Sequence, residues 1–113
     1  MLSSQNRLKK TSNINQISKK GNLVAGNFIF LKFTKNNLDI NRFAFAVGLK
    51  ISKKAVLRNK IKRRLRESIK ENLLKLKTGS DFLIVARPRI IKEGYRAIKK
   101  ELEDLFKKIK AYQ

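Results

Sequence analysis

Apolar and polar positions alternate along the chain in two distinct periods, and the periods divide it into strands and helices. Phe28 to Phe33 (FIFLKF) is apolar on both faces at its start, which predicts a strand buried on both sides there. Arg42 to Leu49 (RFAFAVGL) alternates large Phe43, Phe45, Val47 and Leu49 with small Ala44, Ala46 and Gly48. The large face belongs in a core. The small face either leaves room for a ligand or takes a closely packed helix, and both readings stand at this point. Asp81 to Ala86 (DFLIVA) is a nearly unbroken apolar run, the mark of a strand buried on both faces and often paired in parallel. Leu23-Val24-Ala25 is a shorter extended piece that meets a turn at Gly26-Asn27. Lys35-Asn36-Asn37, with Asp39 and Asn41, has the polar character of a hairpin loop.

The helical segments follow the longer period. Ile14 and Ile17 predict a short helix over 13–20, stopped by Gly21. Leu57, Ile61, Leu65 and Ile69 form an i+4 stripe on a helix that runs from an N-cap at Ser52 to about Lys75 and breaks at Thr78-Gly79-Ser80. Tyr95, Ile98, Leu102, Leu105 and Ile109 form the stripe of a last helix, from about Lys92 to Lys110, after Arg87-Pro88 ends the strand. The resulting order is αβββαβα. It predicts an α+β chain folded as a two-layer α/β sandwich with a mixed sheet. The 113 residues fit one domain, and the polar, basic residues 1–12 are expected to be loose.

Charge changes the picture more than length does. The chain carries 29 Lys and Arg against 8 acids, a formal net charge of +21. Up to Arg66 the only acid is Asp39, against 17 bases. A soluble surface without a partner mixes both signs. This one repels itself until a polyanion neutralises it, which points to nucleic acid. Histidine and cysteine are absent, which removes the commonest general base, thiolate nucleophiles and disulfides. No catalytic residue and no metal ligand set is expected on the protein. No run of about 18 apolar residues is present, so no membrane span is expected. The polar first 20 residues lack the core of a signal peptide, and the expected location is cytoplasmic.

The central helix concentrates the chemistry. Lys53 to Lys70 holds nine bases and one acid, Glu67. Beside the apolar stripe, Asn59, Lys62, Arg63, Arg66 and Lys70 share a second face at offsets 0, 3, 4, 7 and 11. A solvated helix laces acids between its bases at i+4; this one does not. Arginine binds phosphate in a two-pronged way. Asn59 suits a base edge or a 2′-hydroxyl, or else a backbone bond that fixes the helix start.

Ala55 to Glu67 (AVLRNKIKRRLRE) closely resembles the pattern A-V-x-R-N-R-x-K-R-x-x-R-E of the bacterial ribonuclease P protein family, with Lys60 where the family has Arg. Arg7-Leu8, Gly21, Arg42 to Lys50 and Asp81 to Pro88 extend the resemblance along nearly the whole chain. Ser52-Lys53-Lys54 departs from the family's usual Gly-Asn. Ile14 and Ser18 stand where its first helix carries leader-binding Phe.

The resemblance implies a four-stranded sheet with a left-handed βαβ crossover, as in the ribonuclease P protein and ribosomal protein S5 domain 2-like folds. It implies an RNA-binding subunit of ribonuclease P, in which the RNA performs the endonucleolytic removal of the 5′ leader from precursor tRNA. Mg²⁺ is then bound mainly through the RNA subunit, and the partners are ribonuclease P RNA, in a 1:1 complex, and precursor tRNA. Carried over by position, Arg58, Asn59, Lys60, Arg63 and Arg64 contact the catalytic RNA, and Asn59, Lys62 and Arg66 hold the leader. Phe28 and Phe30 are the stacking positions that stand in for the missing aromatics, unless both are core. A ribosomal or other structural RNA-binding protein is the rival reading on size and charge.

Overall fold

The computed structural model describes residues 3–113. Its main elements are α1 (Thr11–Lys20), β1 (Asn22–Ala25), β2 (Ile29–Lys35), β3 (Arg42–Ala46), α2 (Ala55–Asn72), β4 (Ser80–Ala86) and α3 (Tyr95–Lys108), in the expected αβββαβα order. The sheet is four-stranded and mixed, in the order β1-β2-β4-β3. β1 with β2 and β2 with β4 are antiparallel, whereas β3 with β4 is parallel. Parallel neighbours need a long crossover, and α2 supplies it.

The segment after β2 is not a hairpin loop, because β4 lies between β2 and β3. β4 is apolar on both faces and is buried by taking a central place with a neighbour on each side. The hairpin is instead β1–β2, across Gly26-Asn27. The polar 36–41 connection ties β4 down. Asn41 accepts the Ser80 N–H at 2.9 Å and donates to the Lys77 carbonyl at 2.8 Å, while Asn36 donates to Asp81 at 2.9 Å.

Three boundaries differ from the sequence reading. β3 stops at Ala46, and Leu49 is exposed on a turn rather than packed in the core. Ser52 is not the N-cap of α2. Its hydroxyl accepts the Lys54 N–H at 3.1 Å, closing a turn just ahead of a helix that begins at Ala55. α3 starts at Tyr95, since Pro88–Lys92 forms a 3₁₀ stretch instead.

The amino-terminal segment is docked rather than loose. Leu8 is 5 % exposed, its N–H donates to the Phe43 carbonyl at 2.8 Å, and Arg7 pairs with Phe43 in parallel. Asn6 donates to the Asn41 carbonyl at 2.8 Å. The segment thereby covers part of the exposed edge of β3. Positions 1 and 2 of the stretch expected to be loose lie outside the described residues.

The sheet separates two apolar clusters. On one face Ile29, Leu31, Phe43, Phe82 and Ile84 pack against α2 and α3, with Phe43 stacked on Phe82 at 5.2 Å and Phe106 edge-on to it at 5.5 Å. On the other, Ala44 and Leu83 meet Leu8 and Ile17 of α1. The small face of β3 thus takes a helix at Ala44, while Ala46 remains exposed.

Two carboxylates pin the layers. Asp81 is buried and receives both prongs of Arg42, at 2.8 and 2.7 Å, a bond that raises the Arg42 pKa further above its ordinary value. Glu101 of α3 accepts the Asn27 and Phe28 N–H groups at 2.8 and 2.9 Å. Gly26 makes room for it, since a Cβ there would sit 2.7 Å from the Glu101 carboxyl carbon.

Candidate nucleic-acid interface

α2 presents its stripe of Ile61, Leu65 and Ile69 to the core and its bases to solvent. Its first turn has no acid and no side-chain cap, so the positive end of the helix dipole stays open beside Lys53 and Lys54. Among the described residues, no cation from Arg58 to Arg66 is paired with an acid.

The outward side of α2 forms an open depression of about 470 Å³ lined by Val56, Asn59, Lys60, Arg63, Arg66 and Glu67. Val56 is 78 % exposed, a bare apolar residue amid cations. A second depression, of about 370 Å³, lies between the amino-terminal segment, α1, β3 and α2. Arg7, Lys9, Lys62 and Arg66 supply its charge, and Leu8, Ile14, Ala44 and Phe45 are among its apolar residues. Arg66 reaches both depressions. Cations beside an apolar floor suit single-stranded RNA, with phosphates on the charges and bases on the floor. A row of cations along a helix suits the phosphates of folded RNA.

The structure sorts the expected site residues. Asn59, Lys60 and Arg63 line the outward depression together. Lys62 and Arg66 line the second one, and Asn59 does not join them there. It lies about two turns nearer the start of α2 than Arg66, on nearly the same side of the helix. Arg58 and Arg64 each give one donor to the backbone, Arg58 to the Ser52 carbonyl at 2.9 Å and Arg64 to the Glu93 carbonyl at 3.0 Å. They brace α2 against its flanking loops and keep their remaining donors.

Phe28 is not a stacking position. It is 6 % exposed and belongs to the main core, because its N–H is held by Glu101 just before β2 begins. Phe30 is half-buried on the opposite face, with the Arg87 guanidinium 4.5 Å above its ring. The register places Ala25, Phe30, Val85 and Ala46 in one row across all four strands. None of the four is buried. Ala46 is the next residue on that face after Ala44, so the row continues the floor of the second depression.

Sequence reasoning missed Arg7, Lys9, Phe45 and Arg87. Alternation placed Phe45 in the core, but β3 is an edge strand and leaves the ring partly bare. Arg87 meets Phe30 only through the pairing of β2 with β4, which no local pattern reveals. Ser18 is exposed, and its carbonyl accepts the Lys32 ammonium at 3.0 Å.

Comparison with known proteins adds an independent line. The family model for ribonuclease P matches residues 2–110. The chain is similar to the ribonuclease P protein component of Caldanaerobacter subterraneus, 36% identical over 107 residues and covering 95% of this chain and 91% of that one. Its counterpart in Fusobacterium nucleatum is 37% identical over 109 residues, covering 93% and 97%. Among solved structures, the Staphylococcus aureus RNase P protein superimposes with a TM-score of 0.87 at 31% identity, covering 96% of this chain and 98% of that chain. The Thermotoga maritima protein gives 0.83 at 26% identity, covering 90% and 96%.

Proposed function

The chain belongs to the ribonuclease P protein family, and on that premise we propose how its two cationic surfaces divide the work. Its role is that of the RNA-binding subunit of ribonuclease P, an endoribonuclease of tRNA maturation, in a ribonucleoprotein with an RNA subunit. The relatives' names favour this over a ribosomal role.

Asn59, Lys60 and Arg63 bind the phosphates and sugars of the catalytic RNA, with Arg58 and Arg64 adding their spare donors from braced positions. Lys62 and Arg66 hold the 5′ leader of precursor tRNA, whose bases lie on the row through Phe30. The stoichiometry with the RNA is 1:1, and the complex works in the cytoplasm. In this reading the Mg²⁺ that activates water is bound mainly through the RNA subunit.

The observation that carries the reading is the second depression, where Lys62 and Arg66 stand beside an apolar floor that runs on to Phe30. The test is reconstitution with the host ribonuclease P RNA at low Mg²⁺. Lys62→Ala combined with Phe30→Ala should weaken binding of leader-bearing precursor tRNA by roughly tenfold or more and leave mature tRNA unaffected. Equal losses for both, or no loss, would refute the assignment.

A further inference from the structure

A third hollow lies away from both depressions, where the ends of β1 and β2 meet the loop before β4 and the end of α3. It has a volume of about 460 Å³, within the usual range for small-ligand sites. Phe33 and Ile109 form its apolar part, and Lys35, Lys77 and Lys110 are exposed around it without an acidic partner among the described residues.

Two features set it apart from an accidental gap. Phe33 is the outer member of an aromatic row. Its ring lies 6.3 Å from Phe82, which in turn stacks on Phe43. Phe82 and Phe43 are buried, whereas Phe33 is part-exposed at the hollow. A planar ring laid on Phe33 would extend the row by one member. The second feature is Lys110, which has φ +56° at the carboxy-terminal end of α3. Helices usually place glycine in that left-handed position, since other side chains pay about 1 kcal/mol or more there. Here a lysine holds it, and the Ala111 N–H still closes the helix end on the Phe106 carbonyl at 2.9 Å. Gly79, at φ +103°, shapes the opposite wall.

We propose that this hollow binds one unpaired nucleotide of an RNA strand, its base on Phe33 and its flanking phosphates on Lys35, Lys77 and Lys110. The site is separate from the leader floor, which lies on the other face of the sheet. It gives the protein a further RNA contact, independent of α2. Specificity for one base is not built in, because an aromatic face accepts any base.

The test is a ¹⁵N NMR titration of the full chain with a single-stranded hexanucleotide, with adenosine monophosphate and with inorganic phosphate. The RNA should shift Thr78, Gly79 and Ser80 amides saturably. Lys77→Glu with Lys110→Glu should abolish those shifts, while α2 amides still respond. Phe33→Leu should weaken binding at this hollow by roughly fivefold or more in a chain whose remaining spectrum is unchanged. Three outcomes would overturn the proposal: no shifts there with RNA, equal saturation by phosphate alone, or saturation by the mononucleotide with none by the hexamer. Because α2 and the hollow report separately, failure here leaves the proposed function standing.

Discussion

α2 and α3 pack side by side on the same face of one sheet, yet they use charge in opposite ways. From Val56 to Arg66, α2 has six bases and no acid, and its cations find no acidic partner among the described residues. α3 mixes its signs: Lys100 meets Asp104 at 3.4 Å, Lys99 meets Glu71 at the end of α2, and Glu101 is turned inward onto the hairpin backbone. α3 thus answers part of its charge within the chain, though Arg96, Lys107 and Lys108 have no acidic partner among the described residues. A helix whose charges are left unanswered is waiting for a partner from outside, and here that partner is RNA.

The comparison breaks most visibly if the outward cations of α2 are removed. Lys60→Ala and Arg63→Ala together should lower affinity for ribonuclease P RNA on the order of a hundredfold, at about 1.4 kcal/mol per contact. Filter binding measures the loss, and urea unfolding should show an unchanged midpoint. On the α3 side the pattern inverts. Glu101→Ala strands two backbone N–H groups and should cost about 3 kcal/mol of stability in urea, while the folded fraction binds RNA as the parent does.

Titration sharpens the contrast. Burial pushes the hydroxyl of Tyr95, at the start of α3, up to about 12, and that of Tyr112 likewise up to about 12. Below about pH 10 both are neutral whether folded or unfolded, and stability is at its full value. Between about pH 10 and 12 the unfolded chain ionises while the folded one holds its protons, so stability falls. Unfolding measured across that window in Tyr95→Phe should show a shallower fall than the parent. The smallest effect belongs to the exposed Lys100–Asp104 pair. Asp104→Ala should change the urea midpoint by less than about 0.5 kcal/mol equivalent.

The sequence made the elements legible because their periods are local: every helix and strand of the sheet appears in its expected order. The charge face of α2 was legible for the same reason, since Asn59, Arg63 and Arg66 follow from helical geometry alone. What depends on distant partners was not. The insertion of β4 between β2 and β3 turned an apparent hairpin loop into a set of anchors for Ser80 and Lys77. Phe28 and Phe30 look alike in sequence, and only Glu101, more than 70 residues on, draws the first into the core. Arg58 and Arg64 read as free cations until the carbonyls of Ser52 and Glu93 come within reach. Leu8, a single apolar residue in a polar stretch, was too weak a signal to reveal that its segment docks on β3.

The most direct test of the central claim is the salt dependence of binding to ribonuclease P RNA, compared between the parent and the double alanine variant of Lys60 and Arg63. Each lost phosphate contact should reduce the slope of log K against log salt by roughly 0.7 to 0.9, so the variant's slope should be shallower by about 1.4 to 1.8. An unchanged slope would mean that these cations face water rather than phosphate.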